Sequence, residues 1–197
     1  MESLQIKPLE ERYLEDVVRI HQDVLGYTFN SRLGSKHLSF IYRTMAQHNE
    51  SYVGVALLDD QPVGMISGTL NPDKTKMRLL NSFKPLQWLN LVSQVLKQPS
   101  IINEWWKGNI IGRELNFEGE TVHPILTTIA VDANFHGKGI GRRLVHNLEC
   151  FFKQKGIHYY RLDTVTTNDG ARAFYKSLRY QEIETKADSI LYIKGIQ

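Results

Sequence analysis

Cysteine is almost absent from this sequence, because Cys150 is the single one among 197 residues. One cysteine excludes an intrachain disulfide and a zinc site built on cysteine ligands, and the sequence predicts no metal centre. Scarce cysteine is typical of a reducing compartment, so a cytoplasmic location is expected. No apolar run approaches the ~18 residues of a membrane-spanning helix. Charges also fill the first residues, where a signal peptide would be apolar.

A strong net charge of either sign is also missing. Lysine and arginine number 24 and aspartate and glutamate 21, for a formal net charge of +3. This excess is too small to indicate a nucleic-acid partner. With 42% hydrophobic and 23% charged residues, the composition is that of an ordinary globular protein. The length favours a single domain over residues 1–197.

Hydrophobic periodicity predicts a mixed α/β domain. In the first half, the sequence predicts a strand at 4–8, helices at 9–25 and from a cap at Ser35, and a hairpin with strands at 52–58 and 63–70. In the second half, it predicts a strand at 125–131, a helix at 141–155, a strand at 159–165, a helix at 171–178 and two final strands. The strand–helix–strand crossover makes strands 125–131 and 159–165 parallel neighbours.

Residues 72–122 interrupt this alternation and are predicted to form a helical insertion between the third and fourth strands. Pro85 is suited to open a helix whose apolar stripe includes Trp88, and all three tryptophans lie in this segment. Residues 72–113 carry seven basic and two acidic side chains, a net charge of +5 against −2 for the rest. The stripe favours packing onto the domain as a lid. Docking onto a second copy of the chain, or onto a membrane surface, are the alternatives.

A glycine-rich turn joins the strand at 125–131 to the helix that follows. It holds three glycines and three basic residues with no acidic residue among them: Gly137, Gly139, Gly141, Lys138, Arg142 and Arg143. Glycine lets bare backbone N–H groups approach a ligand, and the free N–H groups of a helix start favour an anion. The turn therefore predicts a phosphate or pyrophosphate site. Its spacing differs from the nucleotide P-loop and from the dinucleotide fingerprint, which argues against a nucleoside triphosphatase.

Two motifs resemble those of the GNAT superfamily of acetyl-CoA-dependent N-acetyltransferases. The family's Arg/Gln-x-x-Gly-x-Gly/Ala after its fourth strand is matched by His-Gly-Lys-Gly-Ile-Gly at 136–141. Its Asn-x-x-Ala-x-x-x-Tyr-x-x-x-Gly-Phe segment is matched at Asn168, Ala171, Tyr175 and Tyr180. The resemblance covers both halves of the chain and leaves out the insertion. It implies the GNAT fold, an α/β (α+β) domain. The expected sheet is mixed and mostly antiparallel, with a central parallel pair splayed for acyl-CoA and helices on both faces.

The resemblance also implies acetyl-CoA as the cofactor, with coenzyme A as product, and roles for individual residues. The backbone of Ile129 and Val131 would pair with the pantetheine arm as an added strand does. Asn168 would contact the pantetheine, and Tyr175 would donate a proton to the departing thiolate. A phenol of pKa ~10 is suited to this role because it stays protonated at neutral pH. The implied cofactor-binding residues are Ile129, Ala130, Val131, His136, Gly137, Lys138, Gly139, Ile140, Gly141, Arg142, Asn168, Ala171 and Tyr175.

Several of these positions admit a second interpretation or depart from the family pattern. Tyr175 also has the spacing of a core residue, and Asn168 that of a helix N-cap. His136 stands where the family has Arg or Gln, and it can still donate a hydrogen bond. Arg179 stands where the family has Gly, so either a left-handed residue or a different turn is expected there.

The resemblance leaves the general base open. Many members carry a Glu on the fourth strand, near the position of Ile125 here. His123 lies two residues earlier, on the same strand face, and Glu120 lies just upstream. These two are the candidate bases, and a bound water is an equal alternative.

The expected reaction is acetyl transfer to an amine, in a small molecule or a peptide, by direct attack within a ternary complex. Cys150 lies in mid-helix, and no cysteine or serine is placed to form a covalent intermediate. The candidate acceptor contacts are Tyr27, Phe29, Asn30 and Arg32. Two alternatives stay open. In the first, the chain is a non-catalytic acyl-CoA sensor or interaction module. In the second, it is a membrane-associated or scaffolding protein whose function resides in the insertion.

Overall fold

The fold is built on a seven-stranded sheet with helices on both faces. The structure is a computed structural model that describes residues 3–83, 85 and 115–196. Its strands are β1 (Leu4–Pro8), β2 (Ser51–Leu58), β3 (Gln61–Thr69), β4 (Asn116–Phe117), β5 (Glu120–Thr121), β6 (Ile125–Val131), β7 (Tyr159–Val165), β8 (Gln181–Thr185) and β9 (Ser189–Gly195). Its helices are α1 (Leu14–Leu25), α2 (Phe29–Arg32), α3 (Ser35–Ala46), α4 (Pro72–Ser82), α5 (Ile140–Gln154) and α6 (Asp169–Ser177), with 3-10 turns at Glu11–Tyr13 and Ala133–Phe135.

Strand order in the sheet is β1-β2-β3-β6-β7-β9-β8. Every neighbouring pair is antiparallel except β6 and β7, which run parallel because α5 carries the chain back across the sheet. The predicted fold class is therefore confirmed. Within the residues described, no helix combines the length and the apolarity needed to cross a membrane.

Two hydrophobic clusters lie on opposite faces of the sheet. The larger packs α5 and α6 against one face, and Leu144, Leu148 and Phe152 of α5 have no exposed surface there. The smaller packs α1 and α3 against the other face, around residues such as Val17 and Tyr42. Each helix buries the stripe that its periodicity predicts, so burial of apolar area holds both layers to the sheet.

The insertion is described only at its two ends. At its start, the side chain of Asn71 accepts a hydrogen bond from the N–H of Lys74 (3.0 Å) and Pro72 takes the first helical position, so α4 begins here. The Asn-Pro pair was the local signal for this helix, which the sequence analysis did not resolve within the insertion. At its end, β4 and β5 form a small antiparallel pair. The helix expected from Pro85, with Trp88, falls outside the described residues.

Helix α3 begins without the predicted side-chain cap. Gly34 is the N-cap residue, at φ +89°, and Ser35 is already the first helical residue. The prediction of a cap at Ser35 is therefore wrong. The chain enters this helix with a positive φ at the N-cap position, and glycine adopts a positive φ more readily than any other residue.

The end of α6 accommodates the non-glycine residue of the second motif. Arg179 has φ +63°, in the left-handed region. The Arg179 N–H bonds the carbonyl of Lys176 (3.0 Å), and the Tyr180 N–H bonds that of Tyr175 (3.1 Å). This is the Schellman pattern, and the rings of Tyr175 and Tyr180 make the hydrophobic contact that accompanies it, 5.2 Å apart. The left-handed alternative expected for Arg179 is thus the correct one.

A buried hydrogen-bond chain ties α1, α3 and the connection to α2. Nδ1 of His21 contacts the hydroxyl of Tyr42, and Nε2 lies 3.3 Å from Oγ1 of Thr28. Because the Thr28 hydroxyl donates to the carbonyl of Leu25 (2.8 Å), Nε2 is the donor and Nδ1 accepts from Tyr42. Burial lowers the pKa of His21 to about 4, so the ring is neutral at pH 7.

Replacing Arg179 by glycine is expected to stabilise the fold. Relief of the left-handed backbone is worth about 1–2 kcal/mol and the added freedom of glycine in the unfolded chain costs about 0.4–1 kcal/mol. We expect Arg179→Gly to raise the free energy of unfolding by about 0.5–1 kcal/mol relative to Arg179→Ala, measured by chemical denaturation. Alanine removes the same charge and keeps the strain, so equal stabilities of the two variants would contradict the strained turn.

The buried His21 makes folding sensitive to acid. Its pKa is about 4 in the folded chain against ~6.5 in the unfolded one, so the unfolded state takes up a proton first as the pH falls. The free energy of unfolding should therefore drop between pH 7 and pH 4, by about 3 kcal/mol from this group.

His21→Asn should remove much of that slope in denaturation measurements. His37→Asn should remove part of the remainder, because burial lowers the pKa of His37 to about 4 as well. If His21→Asn kept the full wild-type slope of stability against pH, His21 would not be its cause.

Candidate active site

The parallel strands β6 and β7 separate soon after they begin. In the described part of the chain, their register contains one pair, Ile125 with Arg161, and the N–H of Arg161 bonds the carbonyl of Pro124 (2.9 Å). Beyond this point, both strands line a cavity of about 840 Å³, through residues 126–131 of β6 and 163–165 of β7. The backbone groups of β6 that face β7 are therefore free to pair with an extended ligand.

The glycine turn forms one end of this cavity. Gly137 and Gly139 have φ of +76° and +75°, and a Cβ at either position would meet nothing within 4 Å. Gly139 is the N-cap of α5, so the first N–H groups of this fifteen-residue helix open onto the cavity beside it. Gly141 has a different role, because a Cβ there would lie 3.1 Å from the ring of Phe174 on α6. Open space, free N–H groups and the helix dipole together suit a phosphate group.

The three cations of the turn point to different places. Arg142 lines the cavity. Arg143 instead donates from Nη2 to the carbonyl of Leu4 (2.8 Å) and so ties α5 to the edge strand β1. The ammonium of Lys138 lies 5.2 Å from the centre of the Phe135 ring, and Lys138 is not among the described residues that line the cavity. Of the predicted cofactor-binding residues, Lys138 alone is therefore placed away from the cavity wall.

His136 is bound to its own chain. Its Nε2 lies 2.9 Å from the carbonyl of Val131, so this nitrogen is the donor. The bond closes the turn between the end of β6 and the start of α5, and both residues line the cavity.

The start of α6 forms the other wall. Oδ1 of Asn168 accepts from the N–H of Ala171 (3.0 Å), so the N-cap interpretation of Asn168 is confirmed, and both residues line the cavity. One turn later, Tyr175 also lines the cavity while its ring packs against Tyr180 and Tyr192. Burial raises the pKa of Tyr175 above its ordinary value. The tyrosine is thus both a core residue and part of the site, and its hydroxyl stays protonated at neutral pH.

The two candidate bases do not reach this cavity. Glu120 lies in β5 and pairs with Nδ1 of His158 at 3.1 Å. Neither Glu120 nor His123 is among the described residues that line the cavity. Their nearness to β6 in the sequence does not bring them to its splayed end, because both precede the strand's first paired residue, Ile125.

The cavity instead contains an acidic residue that the sequence analysis missed. Asp163 lies on β7 beyond the point where the strands part. Burial raises the pKa of its carboxyl to about 6, against the opposing charges of Arg161 and Lys186. The signal was available in β7, where Arg161 and Asp163 alternate with the core residues Tyr160 and Leu162. A charged pair at alternate positions of a central strand marks a face that is not ordinary core.

The connection between α1 and α2 closes the remaining side. Tyr27 and Thr28 line the cavity, and Thr28 is held there by the hydrogen-bond chain through His21. Tyr27 is 58% exposed, which places it at the mouth. The other predicted acceptor contacts, Phe29, Asn30 and Arg32, are not among the described lining residues.

The fold and the site together define a class of protein. A glycine turn suited to an anion, a splayed strand edge and a buried phenol line one cavity, whose volume is within the range of ~300–1,000 Å³ usual for ligand sites. The arrangement fits a cofactor that combines phosphate groups with an extended arm and carries its reactive end towards the phenol.

Comparison with known proteins gives the family. A sequence profile of the Acetyltransferase (GNAT) family matches residues 14–180, and the chain belongs to that family. The cofactor of the family is acetyl-CoA, so the match confirms the predicted cofactor and the predicted enzyme class, an acetyltransferase of GNAT type.

Individual relatives agree with this assignment. The N-alpha-acetyltransferase RimI of Mycobacterium tuberculosis (strain ATCC 25618 / H37Rv) is 42% identical over 73 residues, 37% of this chain and 41% of that protein. The match therefore spans less than half of the relative's length.

Solved structures share the fold at low sequence identity. The PaiA N-acetyltransferase from Thermoplasma acidophilum, in complex with coenzyme A, aligns over 98% of this chain and 99% of its own, with 14% identity and a TM-score of 0.64. The ribosomal-protein-S18-alanine N-acetyltransferase from Escherichia coli aligns over 99% and 95%, with 15% identity and a TM-score of 0.60. These similarities confirm the GNAT fold.

The neighbouring arginines Arg142 and Arg143 allow a matched test of the anion site. Arg142→Ala should weaken coenzyme A binding roughly ten- to a hundredfold, because a charge-assisted hydrogen bond is lost. Arg143→Ala removes the same charge from a side chain committed to Leu4 and should leave the affinity nearly unchanged. Titration calorimetry with coenzyme A measures both constants. Equal losses in the two variants would mean that net charge, and not a contact by Arg142, determines the affinity.

Proposed function

We propose that this protein transfers the acetyl group of acetyl-CoA to an amine by direct attack within a ternary complex. One observation carries the proposal: the glycine turn, the splayed edge of β6 and Tyr175 line the same cavity. Acetyl-CoA supplies the activated thioester when it is bound. The chain supplies the anion site at Gly137–Arg142, the strand edge and an acid.

In this proposal, each wall of the cavity holds a different part of the cofactor. Backbone groups at the diverging edge of β6, around Ile129–Val131, bind the pantetheine arm as a neighbouring strand would. The first N–H groups of α5 and the side chain of Arg142 bind the pyrophosphate. Asn168 caps α6 through its Oδ1, which leaves its Nδ2 group to donate towards the arm.

Tyr175 is proposed as the acid that protonates the departing sulfur. Its burial raises the pKa of the phenol, so the proton stays on oxygen until a thiolate forms next to it. Cys150 is exposed and is not among the described residues that line the cavity, which supports direct transfer over a covalent intermediate on this cysteine.

The acceptor is proposed to approach past Tyr27 and Thr28, opposite the glycine turn. The relatives' names, an N-alpha-acetyltransferase and a ribosomal-protein-S18-alanine N-acetyltransferase, make peptide N-termini the first acceptors to test. Small amines come next, because the described residues at the cavity mouth show no feature that excludes them. Residues 1–197 are proposed to form one domain, since the family match extends from residue 14 to residue 180 and so includes both sides of the insertion.

A panel of acceptors tests the proposal. Purified protein is mixed with acetyl-CoA and either short peptides with free N-termini, lysine peptides, amino acids or diamines, and release of the coenzyme A thiol is followed. We expect turnover with at least one class and an acetylated product by mass spectrometry. Tight acetyl-CoA binding in calorimetry with no acetylated amine would favour the sensor function instead.

Tyr175→Phe should lower kcat about 100-fold or more with little change in the KM for acetyl-CoA, because general acid catalysis contributes ~10²–10⁴-fold. Tyr192→Phe is the matched control, since the Tyr192 hydroxyl is buried and has no hydrogen-bond partner among the described residues. Steady-state kinetics on the best acceptor measures both. An unchanged kcat in Tyr175→Phe would remove the tyrosine from the mechanism.

A further inference from the structure

The cavity presents one carboxylate from the strand that diverges from β6. Asp163 lies two residues beyond Arg161, the last residue of β7 that pairs with β6, and on the same face of the strand. The opposite face of β7 carries Tyr160 and Leu162, which are buried under α5 and α6. Asp163 is therefore turned away from that core and lines the cavity that Tyr175 also lines.

Among the described residues, Asp163 makes no close ion pair that would neutralise its carboxylate. Arg161 on its own strand and Lys186 after β8 favour the ionised form, and Glu184 on β8 opposes it. Lys186 is itself 3.8 Å from Glu184. From β9, the register partner of Asp163 is the apolar Leu191, and from β6 the splayed end presents Thr127 and Thr128.

We propose that Asp163 is the catalytic base that accepts a proton from the acceptor's ammonium group. The inference rests on the proposed function and names the residue that makes an amine reactive in this cavity. It also defines the acceptor class, because a carboxylate in this position attracts a cationic amine and disfavours an anionic one.

The proposed reaction balances in atoms and charge with Asp163, Tyr175 and the two substrates. The ammonium gives one proton to the Asp163 carboxylate, and the neutral nitrogen then forms a bond to the acetyl carbon. The carbon–sulfur bond breaks, the sulfur takes its proton from the Tyr175 hydroxyl, and the nitrogen's second proton restores the phenol. Asp163 releases its proton to solvent, so the products are the amide, coenzyme A and one proton.

Position distinguishes Asp163 from the bases expected on the sequence. Glu120 is paired with His158, outside the described cavity wall, and His123 precedes the strand. Burial raises the pKa of Asp163 to about 6, so it is mostly ionised at pH 7 and is a stronger base than an ordinary aspartate. This pKa agrees with the role of base that the position of Asp163 in the cavity indicates.

The test compares Asp163→Asn with Asp163→Glu and with Glu182→Gln, a control that removes an exposed carboxylate from β8. The readouts are kcat/KM against pH with the best acceptor of the panel, and the dissociation constant for acetyl-CoA. In the wild type, kcat/KM should fall below about pH 6 as Asp163 becomes protonated. Asp163→Asn should lower kcat about 100-fold or more at pH 7 and should lose that limb, its rate rising with pH as free amine becomes available.

Acetyl-CoA affinity within twofold of wild type would show that the asparagine variant is folded and that the loss lies in the reaction. Asp163→Glu should recover part of the activity with the acidic limb restored, and Glu182→Gln should match the wild type. Wild-type pH dependence and rate in Asp163→Asn would overturn the proposal while leaving the acetyltransferase function intact. A wild-type protein that binds acetyl-CoA and acetylates no amine would overturn both.

Discussion

The separation of β6 from β7 is the constraint on which the site depends. Parallel strands stay together through their ladder of hydrogen bonds, and here the ladder stops at Ile125 and Arg161. Each strand is held by its other neighbour instead, β6 by β3 and β7 by β9. The gap is therefore a fixed feature of the sheet, with backbone groups that a ligand can satisfy. A continuous ladder would close the cavity and leave the glycine turn at an ordinary helix start.

Local devices then bring the other walls to this gap. Gly139 lets the chain turn from β6 into α5, Asn168 caps the start of α6, and the hydrogen-bond chain through His21 holds Thr28 at the mouth. The Asn168 cap and the hydrogen-bond chain satisfy backbone or buried polar groups that would otherwise be unpaired, whereas the turn at Gly139 leaves the first N–H groups of α5 open to the cavity. The same interactions that stabilise the fold thereby set the shape of the cavity, which is why a core residue such as Tyr175 can also present a group to it.

Prediction from the sequence succeeded where structure follows from a few consecutive residues. Strands β6 and β7 begin and end at the predicted residues, and α5 and α6 begin within two residues of the predicted starts. It failed at α3, where Gly34 and not Ser35 is the N-cap residue. Nearness to β6 along the chain predicts Glu120 and His123 as the bases. Sheet register instead leaves Glu120 beside His158 and brings a residue from the next strand to the cavity.

The sequence by itself determined the family, the order of the elements, the left-handed glycines and the capping asparagine. These depend on local backbone preferences and on periodicity, which neighbouring residues carry. Only the tertiary structure decided which charged groups face the cavity. Arg142 and Arg143 are adjacent and identical in type, yet one lines the cavity and the other binds the carbonyl of Leu4. The face of a helix or strand on which a residue falls, and the distant segment it meets there, follow from the packing of the whole sheet.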